Sequence, residues 1–253
     1  MDYVLRNLSI GYGGKPLLPP LSATLGEGEL CALLGANGSG KSTLLRTMAG
    51  FLPRLGGELL LGGTDTSRLT ASQLSRRVGV VLTERVSALG LTVRGLVSLG
   101  RSPYTGYFGR MQEEDLQAVE TALVMVGITE LASRETSTLS DGERQKAMIA
   151  KTLAQQTPVV LLDEPTAFLD FPSKVELMLL LRRLCREMRK SVLCSTHDLD
   201  LALQVSDKVW LIASDGALHS GSPQELSRTG QLDKAFSSQH ASFDPETLRF
   251  SIV

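Results

Sequence analysis

The stretch Gly35-Ala36-Asn37-Gly38-Ser39-Gly40-Lys41-Ser42-Thr43 leaves few folds open to this chain. It fits the phosphate-binding pattern G-x-x-x-x-G-K-[ST] through Gly35, Gly40, Lys41 and Ser42. Leu30-Cys31-Ala32-Leu33-Leu34 before it is short, apolar and preceded by a Gly/Glu turn, which reads as a buried strand. Thr43 to Ala49 after it has helical spacing and stops at Gly50. Strand, glycine loop and helix together make an anion cradle. Glycines let backbone N–H groups converge, and a helix N-terminus adds partial positive charge. In such a cradle the loop from Gly35 through Asn37, Gly38, Ser39 and Gly40 to Thr43 wraps the phosphates of a nucleotide. Lys41 reaches the β and γ phosphates and Ser42 ligates Mg²⁺. The loop by itself indicates a nucleotide and leaves its use open.

At 253 residues the chain can bury one large domain, or a core plus a subdomain. Hydrophobic residues make up 42% and charged ones 21%, which argues against disorder. Its 26 basic and 27 acidic residues nearly cancel, and no basic stripe marks direct nucleic-acid binding. Cys31, Cys185 and Cys194 sit in apolar runs without metal-ligand spacing, the pattern of buried reduced thiols. Met1-Asp2-Tyr3 opens on strand-like alternation with no signal peptide visible. No apolar run approaches the roughly 18 residues that cross a bilayer. The expectation is a cytoplasmic chain whose membrane role, if any, comes through a partner.

Residues 3 to 31 alternate and turn often, predicting antiparallel strands ahead of the glycine loop, with Tyr12 at a turn. A strand pair over 56–63, a polar helix around 71–77 and a strand over 78–82 follow. From 84 to 157 the periodicity is helical. There Leu116, Val119, Leu123 and Val126 are read as one apolar stripe, with Glu113, Glu114 and Asp115 at the helix start and Gly127 past its end. Ser140 and Glu143 fit a capping box, which leaves Leu139, Gly142, Arg144 and Gln145 unexplained. Pro158 to Leu162 is a buried-strand pattern ending in Asp163 and Glu164. Buried charges are costly, so two carboxylates there call for a cation or solvent. With the glycine loop upstream, Asp163 is the group that serves Mg²⁺ and Glu164 the base that orients water. A long helix from Pro172 to about Lys190 precedes the strand 191–198, whose carboxyl end delivers His197, the edge where α/β proteins place ligands. The tail reads as a hairpin around Asp215-Gly216, a helix from Ser222 and a last turn at 243–248.

Phosphate loop, Leu139-Ser140-Asp141-Gly142-Glu143-Arg144-Gln145, Leu161-Leu162-Asp163-Glu164-Pro165-Thr166 and Ser195-Thr196-His197-Asp198 now stand in one order. That combination resembles the ATP-binding subunits of ABC transporters over essentially the whole chain. The resemblance implies an α/β P-loop NTPase core with an N-terminal antiparallel β-subdomain and an α-helical subdomain, about 84–157, inserted into it. It implies an ATPase working with Mg²⁺ as a head-to-tail dimer. Tyr12 becomes the adenine-stacking aromatic, and Ser140 and Gly142 close over ATP held by the other copy. His197 contacts the γ-phosphate, and Asp170 lies in the loop by which the two subunits communicate. Within the family the chain is most similar to subunits of iron–siderophore, haem and cobalamin importers, through Leu91-Thr92-Val93-Arg94-Gly95-Leu96-Val97 and Leu99-Gly100-Arg101-Ser102-Pro103-Tyr104. The partners so implied are integral membrane permease subunits at the inner face of the cell membrane and, indirectly, a substrate-binding protein. The cargo is not written in this chain.

Two positions depart from the family pattern. Where glutamine usually touches Mg²⁺ and the attacking water, this chain has Thr83, with Glu84 beside it, and either could serve. Asp141 stands where glycine is usual, so its carboxylate must face away from the γ-phosphate. Arg101, Pro103, Tyr104, Tyr107 and Phe108 are taken as an exposed aromatic and arginine cluster that receives a permease helix. The alternative reading is an ABC-type ATPase acting on nucleic acid or the ribosome. Such proteins typically have paired cassettes, a coiled-coil insertion or a basic tail, none of which is evident here. No Asn-Lys-x-Asp or Thr-Lys-x-Asp guanine reader occurs, which argues against a GTPase switch.

Overall fold

The computed structural model describes residues 1–82, 90–106, 109–167, 169–237 and 241–252. Thr83, Glu84, Tyr107 and Phe108 lie outside the described residues.

The chain opens with β1 (Tyr3–Ser9), β2 (Gly11–Tyr12), β3 (Lys15–Pro16) and β4 (Leu21–Leu25), then enters β5 (Leu30–Gly35) and α1 (Lys41–Met48). β6 (Gly56–Leu61) and β7 (Thr64–Asp65) follow, and with β1 and β4 they form an antiparallel sheet in the order β4-β1-β6-β7. Leu5, Leu8, Leu25 and Leu59 of that sheet are buried with Leu44, Leu45 and Met48 of α1 in one core cluster. The phosphate loop's helix is thus gripped between two sheets, which fixes where its N-terminus points.

After α2 (Ala71–Ser75) and β8 (Val78–Val81) come α3 (Val93–Ser98), α4 (Glu113–Val126) and α5 (Asp141–Ala154). Between β8 and β9 every α-helix or β-strand among the described residues is a helix, as the periodicity predicts. One expectation is corrected. Leu116 is 48% exposed, whereas the buried face of α4 is Asp115, Ala118, Val119, Ala122, Leu123 and Val126. The 3.6-residue repeat places position 115, not 116, in line with 119, 122 and 126. A charge can occupy that line because Arg101 Nε donates to Asp115 Oδ1 at 2.8 Å.

The remaining elements are β9 (Val159–Asp163), α6 (Phe171–Met188), β10 (Ser191–Ser195), α7 (Leu199–Val205), β11 (Lys208–Ile212), β12 (Leu218–Gly221), α8 (Pro223–Arg228), α9 (Gln231–Phe236), β13 (Ala241–Asp244) and β14 (Arg249–Ile252). The main sheet has the order β12-β11-β5-β10-β9-β8. It is parallel except for β12, which returns antiparallel to β11. Every residue of β5, β9 and β10 is buried, as strands covered on both faces require. Their carboxyl ends, at Gly35, Asp163 and Ser195, therefore open on one edge of the sheet. That edge is where open α/β sheets hold ligands. No helix among the described residues is long and apolar enough to cross a membrane.

Candidate active site

The loop leaving β5 must turn back on itself to start α1. Gly40, the residue before the helix, sits at φ 96, in the left-handed region that glycine enters without strain. At Gly35 the limit is space: a Cβ there would lie 2.7 Å from Ser39 Oγ and 3.0 Å from Ile212 O. Lys41 is buried, and its Nζ donates to the carbonyls of Gly35 at 2.9 Å and Ala36 at 3.1 Å. Burial lowers the Lys41 pKa, while the carboxylates of Glu164 and Asp163 oppose that shift. Ser39 Oγ is buried with no hydrogen-bond partner among the described residues. An unpartnered hydroxyl and a lysine held on loop carbonyls are groups that a phosphate would satisfy.

Ser42, second residue of α1, donates from Oγ to Asp163 Oδ1 at 3.2 Å. The pairing spans 121 positions of sequence, closed by β5 and β9 ending at the same sheet edge. No cluster of three or more His, Cys, Asp or Glu side chains suited to a metal exists among the described residues. A hydroxyl and one carboxylate, completed by phosphate oxygens, is nevertheless the hard-oxygen set that Mg²⁺ takes. The residues present therefore fit that ion.

Glu164 follows β9 directly and sits at φ 49, a left-handed conformation that costs a non-glycine residue about 1–3 kcal/mol. That turn carries its carboxylate to His197, with Oε1 and Nε2 2.8 Å apart. The loop bearing His197 is itself braced. Asp198 accepts from Thr166 Oγ1 at 2.9 Å and from Lys174 Nζ at 2.9 Å, and Thr166 and Thr196 hydroxyls meet at 3.2 Å. The sequence names Thr166 and Ser195 only as motif members without a role, and it does not single out Lys174. The available signal was a serine closing the apolar run Val192-Leu193-Cys194 at a strand end.

Tyr12 is 55% exposed, with its hydroxyl 3.1 Å from Thr43 Oγ1, so the ring stands beside the start of α1. Ser140 caps α5 with both bonds of the capping box: its Oγ accepts from the Glu143 amide, and Glu143 accepts from the Ser140 amide. The Ser140 amide and hydroxyl hold the Glu143 carboxyl below its usual range. Asp141 accepts from Arg144 on its own helix at 3.0 Å. α5 packs chiefly on α3, α4 and β8, and α1 on β5 and β9, so these contacts do not bring Ser140 and Gly142 to the loop of their own chain. Asp170 is exposed and caps α6 by accepting from the Ser173 amide at 3.1 Å.

The expected docking cluster is corrected at Arg101. Far from being exposed, it is 5% accessible, bonded to Asp115 and donating from Nη1 to Ala154 O at 2.8 Å and Gln156 Oε1 at 3.0 Å. An arginine whose fork is filled inside the fold is a brace between α4 and the end of α5. Tyr104 is half-buried beneath it, with the ring 4.0 Å from the Arg101 guanidinium and the hydroxyl on Gln155 O at 3.0 Å. Pro103 is also half-buried, its carbonyl accepting from Arg76.

A glycine loop capped by lysine, a Ser–Asp pair beside it and a Glu–His pair at the next strand ends define a nucleoside triphosphate hydrolase of the P-loop class. The ABC transporter family model matches residues 18–167, and the chain belongs to that family. It is an ABC transporter ATPase. The chain is 39% identical to the achromobactin transport ATP-binding protein of Dickeya dadantii over 87% of its own length and 82% of the relative's. It superposes with a TM-score of 0.82, at 26% identity, on an inward-facing ABC transporter described as of metal-chelate type, covering 100% of this chain and 96% of that one. A bacterial ABC transporter cassette determined as a dimer gives 0.74 at 26% identity, covering 88% and 99%.

Proposed function

We propose that this chain is the ATP-hydrolysing subunit of an importer that drives uptake of an iron–siderophore, haem or cobalamin-type chelate through a separate permease. The observation that carries the chemistry is the 2.8 Å meeting of Glu164 and His197 at the sheet edge that also holds Lys41, Ser42 and Asp163. The achromobactin-transport relative and the metal-chelate structure support the cargo class.

Lys41 exchanges the Gly35 and Ala36 carbonyls for phosphate oxygens, and the loop amides and Ser39 hydroxyl complete the cradle. Mg²⁺, held by Ser42 and Asp163, would neutralise charge on the phosphates. Glu164 accepts a proton from the attacking water, while His197 holds that carboxylate on one side and meets the γ-phosphate on the other. Tyr12 stacks on adenine. Ser140 and Gly142 complete the site from a second copy, which makes the working unit a head-to-tail dimer with Asp170 at its seam. The helical segment, about 84–157, is the inserted subdomain. The cleft of about 750 Å³ between it and the core, lined by Phe51, Ser72, Pro103, Tyr104 and Lys151, receives the permease at the cytoplasmic face of the membrane.

The test is reconstitution with integral membrane permease subunits of a metal-chelate importer. ATP-driven uptake of a ferric siderophore, haem or cobalamin, lost in Glu164→Gln, is the expected result. ATP hydrolysis without uptake of any metal chelate would overturn the cargo class.

A further inference from the structure

Ser195 is the last residue of β10, and the parallel register sets it opposite Asp163, the last residue of β9. Its side chain is fully buried, where a hydroxyl must find its partners inside the protein. A hydroxyl has one proton to give and lone pairs to accept with. Here it gives the proton to Asp163 Oδ1 at 2.8 Å and accepts the Glu164 backbone N–H at 2.9 Å. The same Asp163 oxygen accepts from Ser42 at the phosphate loop. The Glu164 amide belongs to the residue held at φ 49 whose carboxylate meets His197. One buried hydroxyl therefore joins the carboxylate facing the loop to the turn that aims the other carboxylate.

We propose that Ser195 is a positioning residue for ATP hydrolysis, its hydroxyl locking the Asp163 carboxylate and the Glu164 turn in one relative geometry. This assignment takes Asp163 and Glu164 in the roles given above. Without the hydroxyl, Asp163 loses a bond that sets its rotation. The strained Glu164 turn then loses the acceptor that holds its N–H. Groups that orient a metal-side carboxylate or a base act through geometry, so their loss shows in turnover before it shows in nucleotide affinity.

The same strand supplies the control. Ser191, at the other end of β10, is also fully buried and donates its hydroxyl to Met1 O at 3.0 Å. Wild type, Ser195→Ala, Ser191→Ala and Glu164→Gln are compared. The readouts are kcat, KM, thermal midpoint and the Kd of a fluorescent ATP analogue in Mg²⁺ and in EDTA. Ser195→Ala should lose about 10–100-fold in kcat, the range typical for groups that orient ligands of a metal. Its affinity in EDTA should match wild type, and the gain in affinity on adding Mg²⁺ should shrink. Ser191→Ala should lose comparable thermal stability with kcat near wild type. Should Ser195→Ala not fold, Ser195→Cys keeps the volume with only a weak donor and is read by the same criteria. Equal kcat losses in the two serine variants, or kcat and EDTA affinity falling together, would mean a structural hydroxyl only and overturn the assignment. A silent Ser195→Ala beside an inactive Glu164→Gln overturns it alone. Wild-type turnover in Glu164→Gln overturns the reading of Glu164 and the assignment with it.

Discussion

Glu164 and His197 meet at 2.8 Å across 33 positions of sequence because β9 and β10 are parallel neighbours ending at the same level. The contact fixes the direction of the Glu164 carboxylate before any substrate arrives. Glu164→Gln keeps the shape and the hydrogen bond but removes the proposed proton acceptor. Turnover should fall by about 10²–10⁴, the usual worth of a general base, with ATP affinity retained and an ATP-bound dimer accumulating. Rapid-quench kinetics with size-exclusion chromatography in ATP reads both. Near-normal turnover would remove Glu164 from the role.

Lys41 should behave differently, since the role proposed for its amine is to hold phosphate rather than to act on water. Its Nζ is bonded to the Gly35 and Ala36 carbonyls, two loop bonds that the proposed phosphate contact would replace. Lys41→Ala is expected to lose nucleotide affinity at least tenfold and kcat with it. Equilibrium titration with a fluorescent ATP analogue checks this, and unchanged affinity would contradict the cradle.

Arg101 and Asp115 form a buried pair, with side chains only 6% and 7% accessible. The Gln112 amide and the Arg101 guanidinium hold the Asp115 carboxyl below its usual range. Removing one partner leaves the other charge stranded, a loss of about 3–5 kcal/mol in comparable sites. Arg101→Met should therefore lower the thermal midpoint by roughly 10 °C in a chain of this size. Adding Asp115→Leu should restore part of that. Tyr104→Phe, which loses only the bond to Gln155 O, should cost far less. A double variant as unstable as the sum of its parts would argue against a coupled pair.

What the chain shows in plain text is whatever chemistry is local. The glycine loop, the strand ending in Asp163-Glu164 and the histidine after Thr196 are each contiguous, so spacing alone exposes them. Ser195 could not be assigned that way. Its partners depend on the register of two parallel strands joined through an 18-residue helix, α6, and no local pattern sets that register. Arg101 misled for a related reason: beside aromatic residues it looks like a surface anchor, and only α4 folding back brings Asp115 to neutralise it. Leu116 was misplaced because hydrophobicity outvoted phase, though the buried charge at Asp115 marks the true face.

Acid should reveal a second ion pair. Arg54 binds Asp65 through both terminal nitrogens, Nη1 and Nη2, at 3.0 and 3.1 Å, and that contact leads in lowering the Asp65 pKa from 3.8 to about 2. A carboxylate depressed on folding stabilises the fold above its unfolded pKa, and the contribution fades as pH falls through the folded value. The stability gap between wild type and Arg54→Ala should thus be full above pH 5 and shrink steadily between about 4 and 2. Urea denaturation across that range measures it. A gap that stays constant would mean Arg54 acts by packing alone.

Phe51 offers the cleanest test of the partner surface. It is 60% exposed and lines the cleft between the core and the helices, with Pro103 and Tyr104 along the same wall. An exposed aromatic ring beside a cleft has the chemistry of an anchor for a partner helix, and it contributes little to the fold it stands on. Tyr104 is a poorer probe, since its ring supports the Arg101 and Arg76 guanidinium groups and its loss would disturb the interior. Phe51→Ala should leave the thermal midpoint and the ATPase of the isolated protein close to wild type. In membranes reconstituted with the permease it should lower transport and the permease-stimulated share of hydrolysis about tenfold, an effect within the range of single interface anchors. Both activities and the midpoint are measured on the same preparation. A parallel fall of basal hydrolysis and transport, or full transport in the variant, would place the docking surface elsewhere.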